Sequence, residues 1–338
     1  MKYLPTVAIC IPTFNQAKYL KQSVMSACQQ TYSKIEIWVS DNASTDETPK
    51  VMSDLCINFS NINYYRQVKN LGAVGNQNWV LRQPETDFIV RLDSDDILAP
   101  KYVEILLSAL LEYPKAGFAH CSTQEIDEEG EKLQLRRFLG RPKFQSFDDS
   151  LIDLVADARF CPTMMYKASA LKAVNFYDER VAYAVDYDLS VRLADAGYSN
   201  VYIDIPLVYF RLWNDYDNRR LKRKETHLRD LVHIYDKALE PAFERHKLDR
   251  KIVHYYRTKT ALIHSVICFS PIFTLEERKE LVDLLKKLSN APALRFRLWI
   301  LGLGFYPLLS SFQIIVSDVK SLIRRLLYKL KHGPGFTD

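Results

Sequence analysis

The chain has 338 residues, 48% of them hydrophobic, and a formal net charge of +5. This is enough for two domains, or for one domain with a large appendage, and it excludes a chain disordered throughout. The charge is too small to argue by itself for a nucleic-acid partner.

Val7-Ala8-Ile9-Cys10-Ile11 is a short apolar run ending at Pro12, which reads as a strand buried on both faces. It is too short for a signal peptide, and none is expected. Leu20, Val24, Ala27 and Cys28 then share one helix face, and 35–39 reads as a second strand ending at Asp41. Strand, helix and strand in this span make a parallel βαβ unit with a right-handed crossover. Ser44 and Glu47 have capping-box spacing for the next helix. A strand at 62–65, a helix at 76–81 and a strand at 88–92 follow, then a helix through Leu111 with Pro100 in its first turn. Residues 118–121 read as another strand, and 122–160 are polar and expected to be irregular. Helices are predicted at 168–174 and 188–196, the second stopped by Gly197, with short strands at 201–205 and 207–210. From Asn218 the chain turns basic and helical. The expected domains are therefore an α/β domain over 1–217 and a helical region over 218–338. The cysteines form no Cys-x-x-Cys pair and have no His at zinc spacing, so reduced, packed thiols in a cytosolic setting are expected.

Carboxylates gather where strands end. Asp93-Ser94-Asp95-Asp96 follows the apolar run 88–92. A hard cation, or a ligand arriving with one, offsets the repulsion of three such neighbours. In open α/β sheets, ligands collect beyond the carboxyl ends of strands. The run is a candidate metal and diphosphate site, with a solvated loop before a helix as the plainer alternative. Oxygen ligands alone select Mg2+ or Mn2+ over zinc. Asp41 either accepts a hydrogen bond from a base or ribose or holds the turn 41–44. Asp46 suits the first turn of a helix. Asn70-Leu71-Gly72 and Asn78 read as a strand-to-helix connection in which Gly72 permits a turn. No Gly-x-Gly-x-x-Gly follows the first strand, which argues against a dinucleotide cofactor. In Asp186-Tyr187-Asp188 one acid is expected to cap the following helix, and the other is available as a general base.

Together these residues resemble the family 2 glycosyltransferases, inverting enzymes of the GT-A fold that use nucleotide-sugar donors. The likeness covers 7–213, through Ile11-Pro12-Thr13-Phe14-Asn15, Val39-Ser40-Asp41-Asn42-Ala43-Ser44-Thr45-Asp46, Asn70-Leu71-Gly72, Leu92-Asp93-Ser94-Asp95-Asp96 and Val185-Asp186-Tyr187-Asp188-Leu189. It implies a Rossmann-like, mixed and mainly parallel sheet with flanking helices. By the same resemblance Pro12, Thr13, Phe14 and Asn15 line the nucleotide pocket, and Asn70, Gly72 and Ser94 also belong to it. Asp41 faces the base, Asp93 lies near the ribose, and Asp95, helped by Asp96, binds the Mn2+ or Mg2+ that bridges the diphosphate. Asp186 is the implied catalytic base. Two positions depart from the family pattern: Val185 replaces the first acid of a Glu-Asp pair, and Trp213 stands where many relatives have a His two residues after the Arg.

The implied reaction moves a sugar from a nucleotide-diphosphate donor, expected to be UDP-linked, to a saccharide or lipid-linked saccharide in cell-surface polysaccharide synthesis. A carboxylate takes the acceptor hydroxyl's proton while a divalent ion neutralises the leaving diphosphate. Transfer to polyprenyl phosphate is an alternative. So is a non-catalytic sugar-nucleotide-binding or scaffold subunit, for which Val185 and Trp213 leave room.

The tail adds a surface. The basic cluster 219–224 is a solvated helix face or a contact for a lipid diphosphate. Residues 298–317 carry no charge, but Gly302, Gly304 and Pro307 weaken a membrane span. Residues 319–330 show an apolar face flanked by Lys and Arg. That face suits an anionic membrane interface, or docking on the chain's own domain or on a second copy. The expected location is cytoplasmic, peripheral on the inner face of the cell membrane, with no nucleic-acid partner.

Overall fold

The computed structural model describes residues 4–156, 163–213 and 219–311. The amphipathic segment 319–330, the end of 298–317 and Cys161 lie outside them. Two compact units emerge: Met1–Phe138 with Pro142–Asn214 and Lys237–Leu248, and Leu139–Arg141 with Asp215–Asp236 and Asp249–Asp338.

The first unit is built on one sheet. In chain order its elements are β1 (Val7–Thr13), α1 (Ala17–Cys28), β2 (Ile35–Asp41), α2 (Thr48–Asn58), β3 (Ile62–Arg66), α3 (Ala73–Leu81), β4 (Phe88–Arg91) and β5 (Ile97–Leu98). Then come α4 (Tyr102–Glu112), β6 (Ala116–Ile126), β7 (Lys132–Arg136), β8 (Phe144–Gln145), α5 (Phe147–Ala156), β9 (Met165–Lys167), α6 (Ala168–Ala173), α7 (Val185–Asp195) and β10 (Ser199–Arg211). The sheet order is β3-β2-β1-β4-β9-β6-β10-β5, with β7 on β6 and β8 on β10. β3, β2, β1 and β4 run parallel. Beyond β4 the sheet is mixed: β9 is antiparallel to β4 and β6, while β10 runs parallel to β6.

β1 is buried on both faces, as its apolar run predicts. Ile9 and Ile11 join a core with Leu20 and Val24 of α1 and Val39 of β2. Cys10 faces the other side, where its Sγ lies 3.5 Å from the Val80 carbonyl oxygen of α3. The chain leaves β1 towards β2 on one side, and β4 flanks β1 on the other. The gap between β1 and β4 is therefore the point where strand order reverses and where a ligand fits.

Four expectations change. Residues 122–126 continue β6 as strand because β10 and β7 cover the ladder, and their polar groups find partners. Ser122 Oγ donates to Asp204 Oδ1 at 2.7 Å, and Glu125 pairs with Arg136. β10 is one strand rather than two: Pro206 lacks an N–H and coincides with a register shift, but pairing resumes beyond it. Ser44 and Glu47 form no capping box: α2 starts at Thr48, and Ser44 Oγ accepts from Asn15 N–H at 2.9 Å. Neither Asp186 nor Asp188 caps α7, whose N-cap is Ala184. Both acids lie in the first turn, where carboxylates favour the helix dipole.

The second unit is helical: α8 (Arg219–Lys222), α9 (Lys224–Ile234), then, beyond α10 (Glu240–Arg245) of the first unit, α11 (Arg250–Ser265), α12 (Leu275–Leu288) and α13 (Pro292–Gly302). A capping box does form here, between Thr274 and Glu277. Leu228, Leu231, Val253, Ala261, Leu284, Leu285, Leu294 and Leu298 are buried. Lys224 of the basic cluster is partly buried, its Nζ 3.2 Å from His264 Nδ1, while Lys222 and Arg223 are exposed. No described helix is long and apolar enough to cross a membrane. Gly304, at φ +94°, ends the uncharged run's first helix. The described cysteines are free.

Candidate active site

A cleft of about 190 Å³ opens at the carboxyl ends of β1 and β4. Pro12, Thr13, Phe14 and Gln16 form one wall, Asp93, Ser94 and Asp95 another, and Asn42, Ala73, Asn76 and Gln77 the third. Five of the predicted nucleotide positions (Pro12, Thr13, Phe14, Asp93 and Ser94) and one predicted metal position (Asp95) thus share one space.

The other predicted nucleotide positions build the loops behind it. Asn15 has φ +51°, and its Oδ1 accepts from Thr45 N–H at 2.8 Å. This stitches the loop after β1 to the loop after β2. Asp41 is fully buried: Oδ1 accepts from Ser44 N–H at 2.8 Å, and Oδ2 accepts from Tyr64 OH at 3.0 Å. These bonds hold a turn in which Ala43 sits at φ +61°. Asn70 Oδ1 accepts from Gly72 N–H at 2.8 Å, and Gly72 at φ +77° turns the chain into α3. Asn42 clamps this loop, accepting from Leu71 N–H at 2.7 Å and donating to the Gly72 carbonyl at 3.2 Å.

The acidic run is held from below by Arg211 at the end of β10. Its guanidinium donates to the Asp95 carbonyl at 3.0 Å, to the Asp127 carbonyl at 2.8 Å and to Gln22 Oε1 at 2.8 Å. Its backbone N–H donates to Asp96 Oδ1 at 2.9 Å. Asp96 is buried, does not line the cleft and does not cap α4, which Lys101 precedes. Burial, reinforced by Asp93 and Asp95, pushes its carboxyl well above the usual range. Asp95 is raised as well, first by burial and then by Asp93, while the Trp213 indole opposes the shift. Trp213 Nε1 donates to Asp95 Oδ2 at 2.6 Å, and its ring meets Tyr19 edge-on at 5.0 Å. An indole N–H is a donor only, so Trp213 orients Asp95 but supplies no metal ligand.

Asp93 and Asp95 fit a hard divalent cation: both are oxygen donors in the cleft, and a cation would relieve the raised carboxyl. Among the described residues, no three His, Cys, Asp or Glu side chains gather to enclose a metal. An ion here would take further ligands from phosphate oxygens and water, as Mg2+ sites do.

Asp186 reaches the same region from α7. Buried Arg91 on β4 places its Nη2 at 3.2 Å from Asp93 Oδ2 and 3.3 Å from Asp186 Oδ2. Tyr177 OH donates to Asp186 Oδ1 at 2.9 Å. Burial raises the Asp186 carboxyl above its ordinary range, Arg91 pulls it back and Asp93 adds to the rise. Asp188 points elsewhere, pairing with Arg192 at 2.7 Å. Sequence reasoning passed over Arg91, although a lone charge in an apolar strand run is itself a signal. Tyr177 carried no such mark, and Asn42 was visible only as Asp41's neighbour.

A cleft at a strand-order reversal, walled by carboxylates, is the place where Rossmann-like α/β proteins bind ligands. Residues 8–174 match the family model of glycosyl transferase family 2, so the chain carries a domain of that family. It is 28% identical to the chondroitin synthase of Escherichia coli over 198 residues, 58% of this chain and 28% of that protein. It is 33% identical over 118 residues to the GalNAc(5)-diNAcBac-PP-undecaprenol beta-1,3-glucosyltransferase of Campylobacter jejuni, 35% of this chain and 37% of that one. The matches therefore span well under two thirds of these relatives' length. Among solved structures, S. aureus TarS 1–349 in complex with UDP-GlcNAc superposes with a TM-score of 0.65 at 16% identity, covering 84% of this chain and 80% of that one. The mannosyltransferase PcManGT from Pyrobaculum calidifontis, in complex with GDP-Man and Mn2+, gives 0.55 at 19% identity, covering 95% and 88%. The fold is GT-A-like, with added C-terminal helices.

Proposed function

We propose that the chain is an inverting glycosyltransferase that moves a sugar from a nucleotide-diphosphate donor, UDP-linked, to a saccharide or lipid-linked saccharide acceptor of a cell-surface polysaccharide. The observation that carries this is the common cleft at the ends of β1 and β4, with Asp93 and Asp95 in its wall and Asp186 joined to Asp93 through Arg91. The relatives add support, since their names describe polysaccharide synthesis and a lipid-linked acceptor.

In this reading Pro12, Thr13 and Phe14 flank the base and Asp93 accepts from the ribose. Asp41, held by Ser44 and Tyr64, braces the loop behind the base rather than lining the cleft. Asp95 and Asp93 would hold Mn2+ or Mg2+, with Asp96 behind them as support for the loop. The metal, when bound, neutralises charge on the leaving diphosphate. Asp186 takes the acceptor hydroxyl's proton as that oxygen attacks the anomeric carbon, and a single displacement inverts it. The carboxyl's raised affinity for protons makes it a better base than a solvent-exposed Asp.

Association with an anionic membrane belongs to the same reading. Phe296, Trp299, Leu303, Phe305 and Leu308 are exposed, and Phe296 stacks near Trp299 at 5.9 Å. Aromatic and Leu side chains beside Arg295 suit a headgroup interface. Co-sedimentation of the Phe296→Ser/Trp299→Ser variant with phosphatidylglycerol vesicles should fall well below that of the parent chain; equal binding would remove this part.

The donor test is a thermal-shift panel of nucleotide sugars with and without Mn2+. One UDP-sugar should raise the melting temperature, and more so with Mn2+. A panel with no shift under either condition rejects the donor site.

A further inference from the structure

Arg91 is the least expected charge in the sheet. It sits on β4 between β1 and β9, it is buried, and it pairs with two carboxylates, one in the acidic loop and one on α7. Asp93 Oδ2 at 3.2 Å belongs to the loop that walls the cleft, and Asp186 Oδ2 at 3.3 Å belongs to α7, 95 residues further along the chain. One guanidinium nitrogen is therefore shared by the two carboxylates.

The far side of Asp186 is fixed too. Tyr177 OH donates to its Oδ1 at 2.9 Å. Tyr177 is in turn held at both backbone groups by one side chain: its N–H donates to Asn78 Oδ1 at 2.9 Å, and its carbonyl accepts from Asn78 Nδ2 at 3.0 Å. Asn78 lies on α3, whose Ala73, Asn76 and Gln77 line the cleft. One oxygen of Asp186 is thus held by β4 directly and the other by Tyr177, whose backbone is fixed by α3. A carboxylate held at both oxygens keeps one direction and one remaining set of lone pairs for a proton.

We infer that Arg91 is the positioning residue of the transfer reaction: it sets the direction and charge of Asp186 and ties it to Asp93 of the cleft wall, with Tyr177 as its counterpart on the second oxygen. This rests on the reading of Asp186 as the base. A helix-cap role for Asp186 is not available, because Ala184 caps α7. A purely packing role for Arg91 would need no acid on either side, since burying a guanidinium is costly unless it is paired. The groups facing Asp186 are Arg91 from β4, Asp93 from the acidic loop and Tyr177 from the loop before α7. Loss of Arg91 removes the cation that favours the ionised form of Asp186, and the base then takes up its proton at a higher pH.

The test uses the full chain, with the nucleotide sugar found in the thermal-shift panel, and three variants: Arg91→Met, Arg91→Lys and Tyr177→Phe. Arg91→Met should lower kcat by about tenfold or more and move the acid limb of the kcat–pH profile up by about one pH unit or more. The KM for the donor should change less than kcat. Arg91→Lys should bring the acid limb back towards that of the parent chain but leave kcat low, because an ammonium point charge does not reproduce the guanidinium's planar fork. Tyr177→Phe removes one hydroxyl and should move the limb in the same direction by less. It keeps the proposal testable if Arg91→Met fails to fold. An unmoved acid limb in a folded Arg91→Met, or in Tyr177→Phe should Arg91→Met not fold, overturns the proposal. So does a loss confined to KM. Asp186→Asn is run alongside: if it keeps transfer, the base reading itself falls; if it abolishes transfer while the limb of the Arg91 variants stays put, only the role of Arg91 falls.

Discussion

The two units bury ionisable groups in opposite ways. In the sheet unit, Arg91 lies between Asp93 and Asp186, opposite charges at short range beside an open cleft. In the helical unit, Lys224, His227 and His264 come together, all three of the cationic type, with Lys224 3.2 Å from His264 and the two imidazoles 5.2 Å apart edge to face. Burial and the charge of Lys224 depress His227 to about 4 and His264 to about 3, and burial lowers Lys224 as well. In the first cluster each charge faces one of opposite sign; in the second the buried histidines are kept neutral beside Lys224. Charge kept at a cleft is available for chemistry, whereas charge surrendered in a helical core makes the fold sensitive to acid.

The largest effect expected on the paired cluster comes from Asp186→Asn. Transfer should fall by about 10²–10⁴-fold, while nucleotide-sugar binding by calorimetry stays nearly intact. Equal loss of both would break the assignment of chemistry to that end of the cluster. Asp95→Asn comes next. It should weaken Mn2+-dependent donor binding by about tenfold or more, with binding in EDTA little changed. If the two conditions lose affinity equally, Asp95 acts on the nucleotide rather than on a metal.

The helical cluster is tested by pH. Above about 6.5 both histidines are neutral in the folded and unfolded chains, and their contribution is complete. As pH falls from 6.5 towards 4, the unfolded chain takes up protons that the folded one refuses, so stability drops. By pH 5 the loss should be on the order of 2 kcal/mol for each histidine, roughly 4 kcal/mol together, read as a lower melting temperature of the helical unit. His264→Phe should flatten this dependence; an identical acid dependence in that variant would show that the histidines do not drive it.

Trp213→His has the smallest expected effect. It replaces a donor-only ring that now binds Asp95 with one that can ligate a metal. Mn2+ affinity, by titration of the UDP-bound chain, should rise about threefold or more. An unchanged affinity would mean that the ring at position 213 does not reach the ion.

Much of the sheet was legible because its signals are local. Runs such as 7–11 and 88–92 alternate with helix-period stretches, and the acids follow strand ends by a few residues. Legibility failed where a contact crosses the chain. Ser122 to Ile126 looked irregular until β10 paired with them, and Ser44 and Glu47 matched a capping pattern that Asn15 interrupts by taking the Ser44 hydroxyl.

At the site itself, residue order alone determined that Pro12 to Asn15, Asp41 and Asp93 to Asp96 lie near the carboxyl ends of strands and that Asp186 lies at the start of a helix. Strand period and connection handedness leave few other arrangements. Only the tertiary structure decided which of those acids face the cleft and which brace it: Asp93 and Asp95 line it, while Asp41 holds a turn and Asp96 meets the backbone of Arg211. The same holds for Arg91, whose partners Asp93 and Asp186 lie two and 95 residues away. A carboxylate's direction and charge are set by what surrounds it, and at these positions the surroundings arrive from distant parts of the chain.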